Sequence, residues 1–243
     1  MKKSLLTLAA LTASATVFAQ TSAAPEPDYT FAYNIGAVTE YRYRGISQSR
    51  FDPALQGGID FTHKSGFYLG TWASSIRWIK DAGGDADVEL DLYGGYKNTF
   101  DGIGYDVGVL RYQYPSAKLG VSPNTTEIYG ALTYSVATLK YSHSTTNLFG
   151  FADSKNSGYL DLSATFDLGN GFSLVPHIGH QRVAHNGFSS YSDYSLTVGK
   201  DFGNGLSVSL AAIGTDAEHA AYVAPNGKFL GRSQLVAGVK YAF

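Results

Sequence analysis

The sequence contains no cysteine, and beyond residue 20 it contains no long apolar run. Without cysteine, the chain forms no disulfide scaffold and no thiolate metal site, and it has no cysteine to carry a lipid anchor. A membrane-spanning helix needs about 18 or more consecutive apolar residues, so none is predicted after residue 20. Apolar residues also do not recur with the period of about 3.6 residues that marks an amphipathic helix. Disulfide-rich and helical membrane proteins are therefore excluded.

Glycine and aromatic residues are abundant instead, with 28 Gly, 18 Tyr and 14 Phe against 7 Pro. Tyr and Phe favour strands, and so many glycines favour tight turns or closely packed strands. The formal net charge is −2, and the sequence lacks the basic clusters that bind nucleic acid. One β-rich unit without a nucleic-acid partner is predicted.

The first residues have the features of a secretory signal peptide. A short cationic start at Lys2 and Lys3 precedes an apolar stretch that ends in Val17-Phe18-Ala19. We predict a signal peptide over 1–19 with cleavage after Ala19, and a weaker alternative site after Ala24. Loss of the two lysines would change the formal net charge from −2 to −4. Residues 20–28 are then expected to form a short periplasmic segment.

Apolar and polar side chains alternate with period 2 in segment after segment. Most segments reach the roughly 9–11 residues that a tilted strand needs to cross the hydrocarbon of a membrane. Soluble strands are usually shorter, about 5–6 residues. The predicted strands are 31–43, 54–63, 67–77, 87–97, 103–114, 125–135, 139–147, 158–168, 172–182, 192–202, 206–215 and 231–243.

Short turns and long polar segments alternate between these strands. Asn-Gly pairs supply the positive φ that tight hairpins need. Short periplasmic turns and longer outer loops are typical of outer-membrane barrels, and an even strand number places both termini in the periplasm. The predicted turns are 64–66, 100–102, 136–138, 169–171 and 203–205, and the predicted loops are 45–53, 78–86, 115–124, 148–157, 183–191 and 217–230.

The prediction is therefore an all-β fold, a transmembrane antiparallel up-and-down β-barrel of about 12 strands over residues 29–243. A soluble periplasmic β-sandwich would also alternate. Aromatic residues near the strand ends favour the barrel, because girdles at two membrane interfaces give that distribution. These aromatic residues are Tyr29, Phe31, Phe61, Phe67, Tyr96, Phe100, Tyr112, Tyr114, Phe166, Phe172, Phe202 and Phe243.

The last predicted strand ends on Phe243, with Tyr241 and Val239 on the same face. This pattern resembles the signal that the barrel assembly machinery reads, so that machinery is an expected partner. We also expect the last strand to pair with the first, because closure removes the edge that lipid could not satisfy.

A specific string runs from Asn34 through Tyr41-Arg42-Tyr43-Arg44-Gly45 to Ser49, and it continues over 53–60 and 65–75. Later elements are Glu89-Leu90-Asp91, Gly94-Gly95-Tyr96 and Tyr112-Gln113-Tyr114-Pro115. Over about residues 34–145 the chain resembles the TorF family of porin-like proteins of proteobacteria, although Tyr43 stands where Phe is expected. The resemblance implies an outer-membrane location and a channel, and it names no solute.

Strand parity places most charged strand residues in the lumen, since a Lys or Arg facing lipid at the midplane costs about 2–4 kcal/mol. They either line a narrow passive channel for small polar solutes or ions, or pair with each other in a non-conducting barrel. Twelve strands leave both open, because about 8 leave no pore and about 16 leave an aqueous one. The predicted pore-lining residues are Arg42, Arg44, Gln56, Asp60, Glu89, Asp91, Lys97, Glu127, Lys140, Asp161 and Lys240.

Arg44 and Gly45 are expected where the first strand leaves the membrane. There Arg44 would meet anionic solutes or lipopolysaccharide phosphates at the outer rim. Alternatively, Arg44 pairs with a neighbouring acid while Gly45 lets the chain turn.

An outer-membrane enzyme is the less favoured alternative, because it would need a serine–histidine pair with an orienting group. His177 and His180 differ in parity and so point to opposite faces of one strand. No catalytic residue, cofactor or metal is predicted. The expected partners are outer-membrane lipid, lipopolysaccharide, the assembly machinery and small polar solutes. The barrel is expected to be a monomer.

Overall fold

The computed structural model describes residues 27–243, which form a closed antiparallel barrel of twelve strands. The signal peptide predicted over 1–19 lies outside the described residues, as does most of the segment 20–28. The strands are β1 (Tyr29–Val38), β2 (Ala54–His63), β3 (Phe67–Ser75), β4 (Val88–Phe100), β5 (Ile103–Gln113), β6 (Thr125–Tyr134), β7 (Ala137–Ser144), β8 (Gly158–Ala164 and Phe166–Gly169), β9 (Phe172–Arg182), β10 (Tyr191–Asp201), β11 (Leu206–Thr215) and β12 (Gln234–Ala242).

Each strand pairs with its neighbours in chain order, and β1 pairs with β12 to close the barrel. In this seam Ile35 lies opposite Tyr241. Beyond β12, the backbone of Phe243 donates to Tyr33 at 2.9 Å and accepts from it at 3.0 Å. The predicted pairing of the last strand with the first is confirmed, and none of the twelve described strands keeps a free edge.

The alternation of side chains gives the barrel an apolar outside and a polar inside. Large apolar side chains such as Leu55, Leu69 and Leu132 are exposed on the outer surface of their strands. Inward positions of the same strands carry Asp60, Tyr68 and other polar residues. Among the described residues, no helix is both long enough and apolar enough to cross a membrane.

The predicted alternation of short and long connections is present. We call the end with the five short turns the turn end, and the end with the six long connections the loop end. One short turn lies at residues 135–136 rather than 136–138. The long connections are 39–53, 76–87, 114–124, 145–157, 183–190 and 216–233, and they include the helix α1 (Trp78–Asp81) and two 3-10 turns, Gly187–Ser189 and His219–Ala221.

The first strand is shorter than predicted. It ends at Val38 instead of residue 43, and Arg42–Tyr43 pair with Ile46–Ser47 in a short hairpin. We call residues 39–53 the inner hairpin. Arg44 and Gly45 at its tip have φ of 46° and 79°, a left-handed pair that folds the chain back on itself. The alternating pattern of side chains does continue past residue 38, and this is why the sequence suggested a longer strand.

Two packed clusters fill the loop end of the barrel. In the larger one, Trp72 and Trp78 pack edge-on against Tyr41 and Tyr114, with ring centres 5.4 and 5.1 Å apart. The larger cluster contains Tyr41, Ala54, Ile76, Ile79, Ala86, Tyr112, Tyr114 and Ala117, and the smaller contains Ile46, Tyr191 and Ala217. The inner hairpin contributes to both clusters, so its position is set by the packing of the loop end.

Candidate channel lumen and its constriction

The inner hairpin enters the barrel and its tip lies against the wall formed by β10 and β11. A Cβ atom on Gly45 would lie 2.5 Å from Thr215 Cγ2 and 2.7 Å from Asp193 Cβ, so the tip packs directly on β10 and β11. Gly45 also needs its positive φ, which a larger residue rarely adopts. The hairpin crosses the lumen as a constriction, because β1 holds its base while Arg44 beside Gly45 reaches Glu127 on β6 and Gln181 on β9.

Arg44 fastens this constriction. Its guanidinium donates to both carboxylate oxygens of Glu127 on β6, at 2.7 and 3.1 Å, and to Gln181 on β9 at 2.6 Å. It also lies over the rings of Tyr43 and Tyr159, 4.7 and 4.2 Å from their centres. Burial opposes its charged form, but Glu127 more than offsets this and the pKa of Arg44 is raised. We call these contacts the Arg44 latch.

The position expected for Arg44 at the outer rim is wrong. The guanidinium lies inside the barrel because Glu127 offers it a buried bidentate partner, which water at the rim would not replace at equal strength. The alternative expectation, that Arg44 pairs with an acid while Gly45 lets the chain turn, is what the structure shows.

Arg42 stays within the inner hairpin. Its Nε donates to Glu40 at 2.9 Å and its Nη1 donates to the Gly45 carbonyl at 2.7 Å. Burial lowers the pKa of Arg42, and the Glu40 carboxylate acts against this shift. Arg42 and Arg44 are therefore each paired with an acid, and these contacts rigidify the constriction.

Glu89 lies under the larger cluster. It accepts hydrogen bonds from the hydroxyls of Tyr41 at 2.6 Å and Tyr114 at 2.7 Å. Only 1% of Glu89 is exposed, so the carboxylate faces protein rather than an open lumen. Asp91, the next inward residue of β4, has a buried carboxylate oxygen with no partner in the described chain.

Tyrosine hydroxyls hold three lumen carboxylates, two of them toward the turn end and the third beside the inner hairpin. Such bonds satisfy each acid without a cation, so its charge is not cancelled by the contact. The donor–acceptor pairs are Tyr93 to Asp60 at 2.5 Å, Tyr68 to Asp106 at 2.6 Å and Tyr159 to Asp193 at 2.9 Å, and the Tyr68 hydroxyl also contacts that of Tyr129.

Glycines opposite these tyrosines keep their rings against the wall. A Cβ atom on Gly70 would lie 2.4 Å from the ring of Tyr93. A Cβ atom on Gly108 would lie 2.5 Å from the hydroxyl of Tyr129. Each ring therefore covers a glycine on the neighbouring strand instead of projecting across the barrel.

The lumen lysines lie on tyrosine rings. The ammonium group of Lys97 lies 5.5 Å from the centre of the Tyr68 ring, and that of Lys140 lies 4.1 Å from the centre of the Tyr129 ring. Lys240 faces inward from β12, opposite Gly36. The lumen is thus mixed in charge.

A histidine lies among the lumen acids on the side of β8 to β10. His177 Nε2 is 2.8 Å from a carboxylate oxygen of Asp161, and Nδ1 is 3.6 Å from one of Asp193. Because both nitrogens face carboxylates, neither is placed to accept a proton from a serine nucleophile. His180 contacts Ser192 at an exposed position. Residues 27–243 contain no group of three or more His, Asp or Glu placed to hold a metal.

Two cavities lie on opposite sides of the inner hairpin, and Tyr43 lines both. The lumen cavity has a volume of about 330 Å³ and lies on the Arg44 side. The vestibule cavity has a volume of about 440 Å³ and lies among the outer loops. The lumen cavity is lined by residues that include Arg44, Lys140, Ser142, Asp161, His177 and Asp193, and the vestibule cavity by residues that include Ile46, Trp78, Leu148, Phe151, Tyr191 and Tyr222.

Nine of the predicted pore-lining residues lie on inward positions of the strands, and two lie on the inner hairpin. Sequence reasoning missed Asp106, Asp193, His177 and the tyrosines that bind the acids. Parity would have found Asp106, which stands between Tyr105 and Val107, and Asp193, which alternates with the outward Tyr194 and Leu196. The inward residues are Gln56, Asp60, Glu89, Asp91, Lys97, Glu127, Lys140, Asp161 and Lys240, and the hairpin residues are Arg42 and Arg44.

The residues of the predicted assembly signal lie together on the outside of the seam. Val239 and Tyr241 are exposed on β12. The Phe243 ring lies 5.9 Å from that of Tyr33 and 6.0 Å from that of Tyr241. Recognition by the assembly machinery stays a prediction.

Comparisons with known proteins concern the whole barrel. Residues 22–243 match a family model described as a bacterial protein of unknown function (Gcw_chp), and no curated protein matches the sequence. A KdgM porin is similar with a TM-score of 0.57 and 8% identity, over 87% of this chain and 99% of that one. A KdgM porin in complex with disordered oligogalacturonate has a TM-score of 0.55 and 8% identity, over 88% and 98%.

A NanC porin is similar too, with a TM-score of 0.51 and 8% identity, over 88% of this chain and 99% of that one. At such identities the likeness shows the fold, and it agrees with the predicted class of barrel. The matching family model does not carry the TorF name, so that narrower resemblance is not confirmed.

Proposed function

We propose that this chain, which belongs to the Gcw_chp family of bacterial proteins of unknown function, is a narrow outer-membrane porin for small polar solutes or ions. The observation that carries the proposal is the lumen cavity, a polar space inside a closed barrel, where the ring of the lining residue Tyr159 packs against Gly179 of the wall. The inner hairpin sets the width of the path.

The apolar exterior and the closed edge support an outer-membrane location, since lipid leaves no partner for an open strand. On this proposal the turn end faces the periplasm. The exterior would contact lipid and lipopolysaccharide, and the strand ending in Phe243 would engage the assembly machinery. A monomer exported by a signal peptide cleaved after Ala19 completes the proposal.

Oligogalacturonate, the ligand in the KdgM complex, is not proposed as the solute of this barrel. Oligogalacturonate carries a carboxylate on each sugar, whereas the lumen here presents Asp60, Asp106, Asp161 and Asp193. These acids would repel a polyanion, so a small solute of another charge type is favoured.

A non-conducting barrel is the second candidate, and the packed loop end favours it. The two clusters and the Arg44 latch fill the lumen between the two cavities. In this alternative the inner hairpin is a permanent plug.

Conductance of the purified barrel in a planar lipid bilayer tests the proposal. We expect discrete steps of small size from the full chain. A variant with residues 41–48 replaced by a Gly-Ser linker should give larger steps, because it removes the constriction. Silence of the full chain with steps from the variant would favour the plug, and silence of both would refute the porin function.

A further inference from the structure

We propose that the lumen cavity binds small zwitterions of the amino-acid type, which carry an ammonium and a carboxylate group. Its volume of about 330 Å³ lies within the range of about 300–1,000 Å³ that is usual for small-molecule sites. As a statement about the transported solute, the inference rests on the proposed porin function. Binding itself does not require conduction.

The two signs of charge turn away from each other in this cavity. Lys140 on β7 lies opposite Asp161 on β8 in the strand register. The Lys140 ammonium nevertheless lies over the Tyr129 ring on β6, on the other side of its strand. Asp161 turns the other way, toward His177 on β9. One cavity therefore has a positive side and a negative side.

The negative side holds two carboxylates around one imidazole. His177 lies between Asp161 and Asp193, and Asp193 also accepts a hydrogen bond from Tyr159. An imidazole carries at most one positive charge, so it does not neutralise both acids. An uncompensated negative charge remains for the ammonium group of a solute.

The positive side depends on Lys140. Arg44 also lines the cavity, but its guanidinium is already bound by Glu127 and Gln181. Ser142 lies two residues along β7, is only 4% exposed and lines the same cavity. Lys140 and the Ser142 hydroxyl are therefore the donors that a solute carboxylate would meet.

A zwitterion satisfies both sides at once. A simple cation would be attracted by the carboxylates and repelled by Lys140. A simple anion would be attracted by Lys140 and repelled by the carboxylates. Charges of opposite sign on one small solute match the arrangement, and complementary charge is what gives such sites their specificity.

Four probes of nearly equal size separate these cases: L-alanine, lactate, 1-amino-2-propanol and 1,2-propanediol. Their binding to the purified full-length barrel can be measured by ligand-observed NMR titration. We expect L-alanine to bind about tenfold more tightly than each of the other three, which corresponds to about 1.4 kcal/mol. Lys140→Met should lower the affinity for L-alanine to that of 1-amino-2-propanol, and Asp161→Asn should lower it toward that of lactate.

Matched controls lie in the same lumen but do not line the cavity. Lys97→Met and Asp60→Asn remove a lysine and an acid from β4 and β2, and they should leave the preference for L-alanine intact. Lys140→Arg keeps the charge and should also keep the preference, which separates loss of charge from misfolding. Heat-modifiable migration on a denaturing gel reports folding of every variant.

L-Alanine binding no tighter than 1,2-propanediol would overturn the zwitterion site, and so would an unchanged preference in a folded Lys140→Met barrel. Tight L-alanine binding by a barrel that never conducts would support the site and refute the porin function. Conduction without any preference among the four probes would support the porin function and refute the zwitterion site.

Discussion

Removal of the Arg44 side chain tests the latch most directly. Arg44→Met replaces the guanidinium side chain with an apolar one of similar length, and it leaves Glu127 without its cation. In the structure the side chains of Arg44 and Glu127 are 7% and 2% exposed. Breaking one partner of such a buried pair typically costs about 3–5 kcal/mol, because a charge stays buried without a partner.

The barrel wall should survive this change, and the inner hairpin should not stay in place. The strands keep all their backbone pairing, whereas the hairpin is held mainly by Arg44, by the larger cluster and by Ile46. A fully buried apolar side chain contributes about 1.5–3 kcal/mol. A loss of about 3–5 kcal/mol therefore offsets most of the docking energy that Ile46 and Tyr41 supply.

A double variant separates electrostatics from packing. Arg44→Met with Glu127→Leu removes both charges, and well-packed apolar replacements of buried ion pairs are often neutral or stabilising. The hairpin should therefore dock again in the double variant.

The assay uses the fluorescence of Trp72, whose ring lies 5.4 Å from that of Tyr41 at the base of the hairpin. Trp78→Phe makes Trp72 the only tryptophan, since the sequence has two. In Arg44→Met we expect Trp72 to become more accessible to acrylamide and bilayer conductance to rise. Unchanged quenching and conductance in Arg44→Met would refute the latch. The latch would also be refuted if the double variant showed the same quenching and conductance as Arg44→Met.

Two further changes test the wall and the seam. Gly70→Ala places a methyl group against the Tyr93 ring and should lower the free energy of unfolding in urea by about 1–3 kcal/mol. Gly120→Ala is the control, because its methyl group meets nothing within 4 Å, and it should change the free energy of unfolding by less than about 0.5 kcal/mol. Equal effects of the two would contradict the packing of rings on glycines. Deletion of Phe243 removes two backbone hydrogen bonds to Tyr33, so the heat-modifiable fraction in outer membranes should fall; a normal fraction would exclude an assembly role for this residue.

The sequence predicted the strands well because their signals are local. Alternation within about ten residues and a turn such as Asn170-Gly171, with φ of 53° and 76°, are enough to define a hairpin. The inner hairpin escaped prediction because its signals are distant. Tyr41 and Tyr43 continue the alternation. The contacts that hold the hairpin inside the barrel are remote in sequence, as Glu127 and Gln181 lie 83 and 137 residues beyond Arg44.

The lumen was predicted only in part, because some of its contacts follow from local alternation and others depend on how distant strands pair. Parity assigned Asp60 and Lys140 to the inside from their neighbours alone. The pairing of Tyr93 with Gly70 and with Asp60 depends on the register between three strands, and a single sequence does not fix that register. The tyrosines therefore read as ordinary strand residues.

The sequence distance spanned by the Arg44 latch also fixes its place in the order of folding. The hairpin leaves β1 near the start of the chain, but its acceptors lie on β6 and β9. Contacts so far apart in sequence form late, because the intervening chain must first be ordered. An assembling barrel thus keeps an open lumen until β9 is in place. Docking of residues 39–53 therefore follows the pairing of β6 to β9, and only a correctly registered wall can complete it.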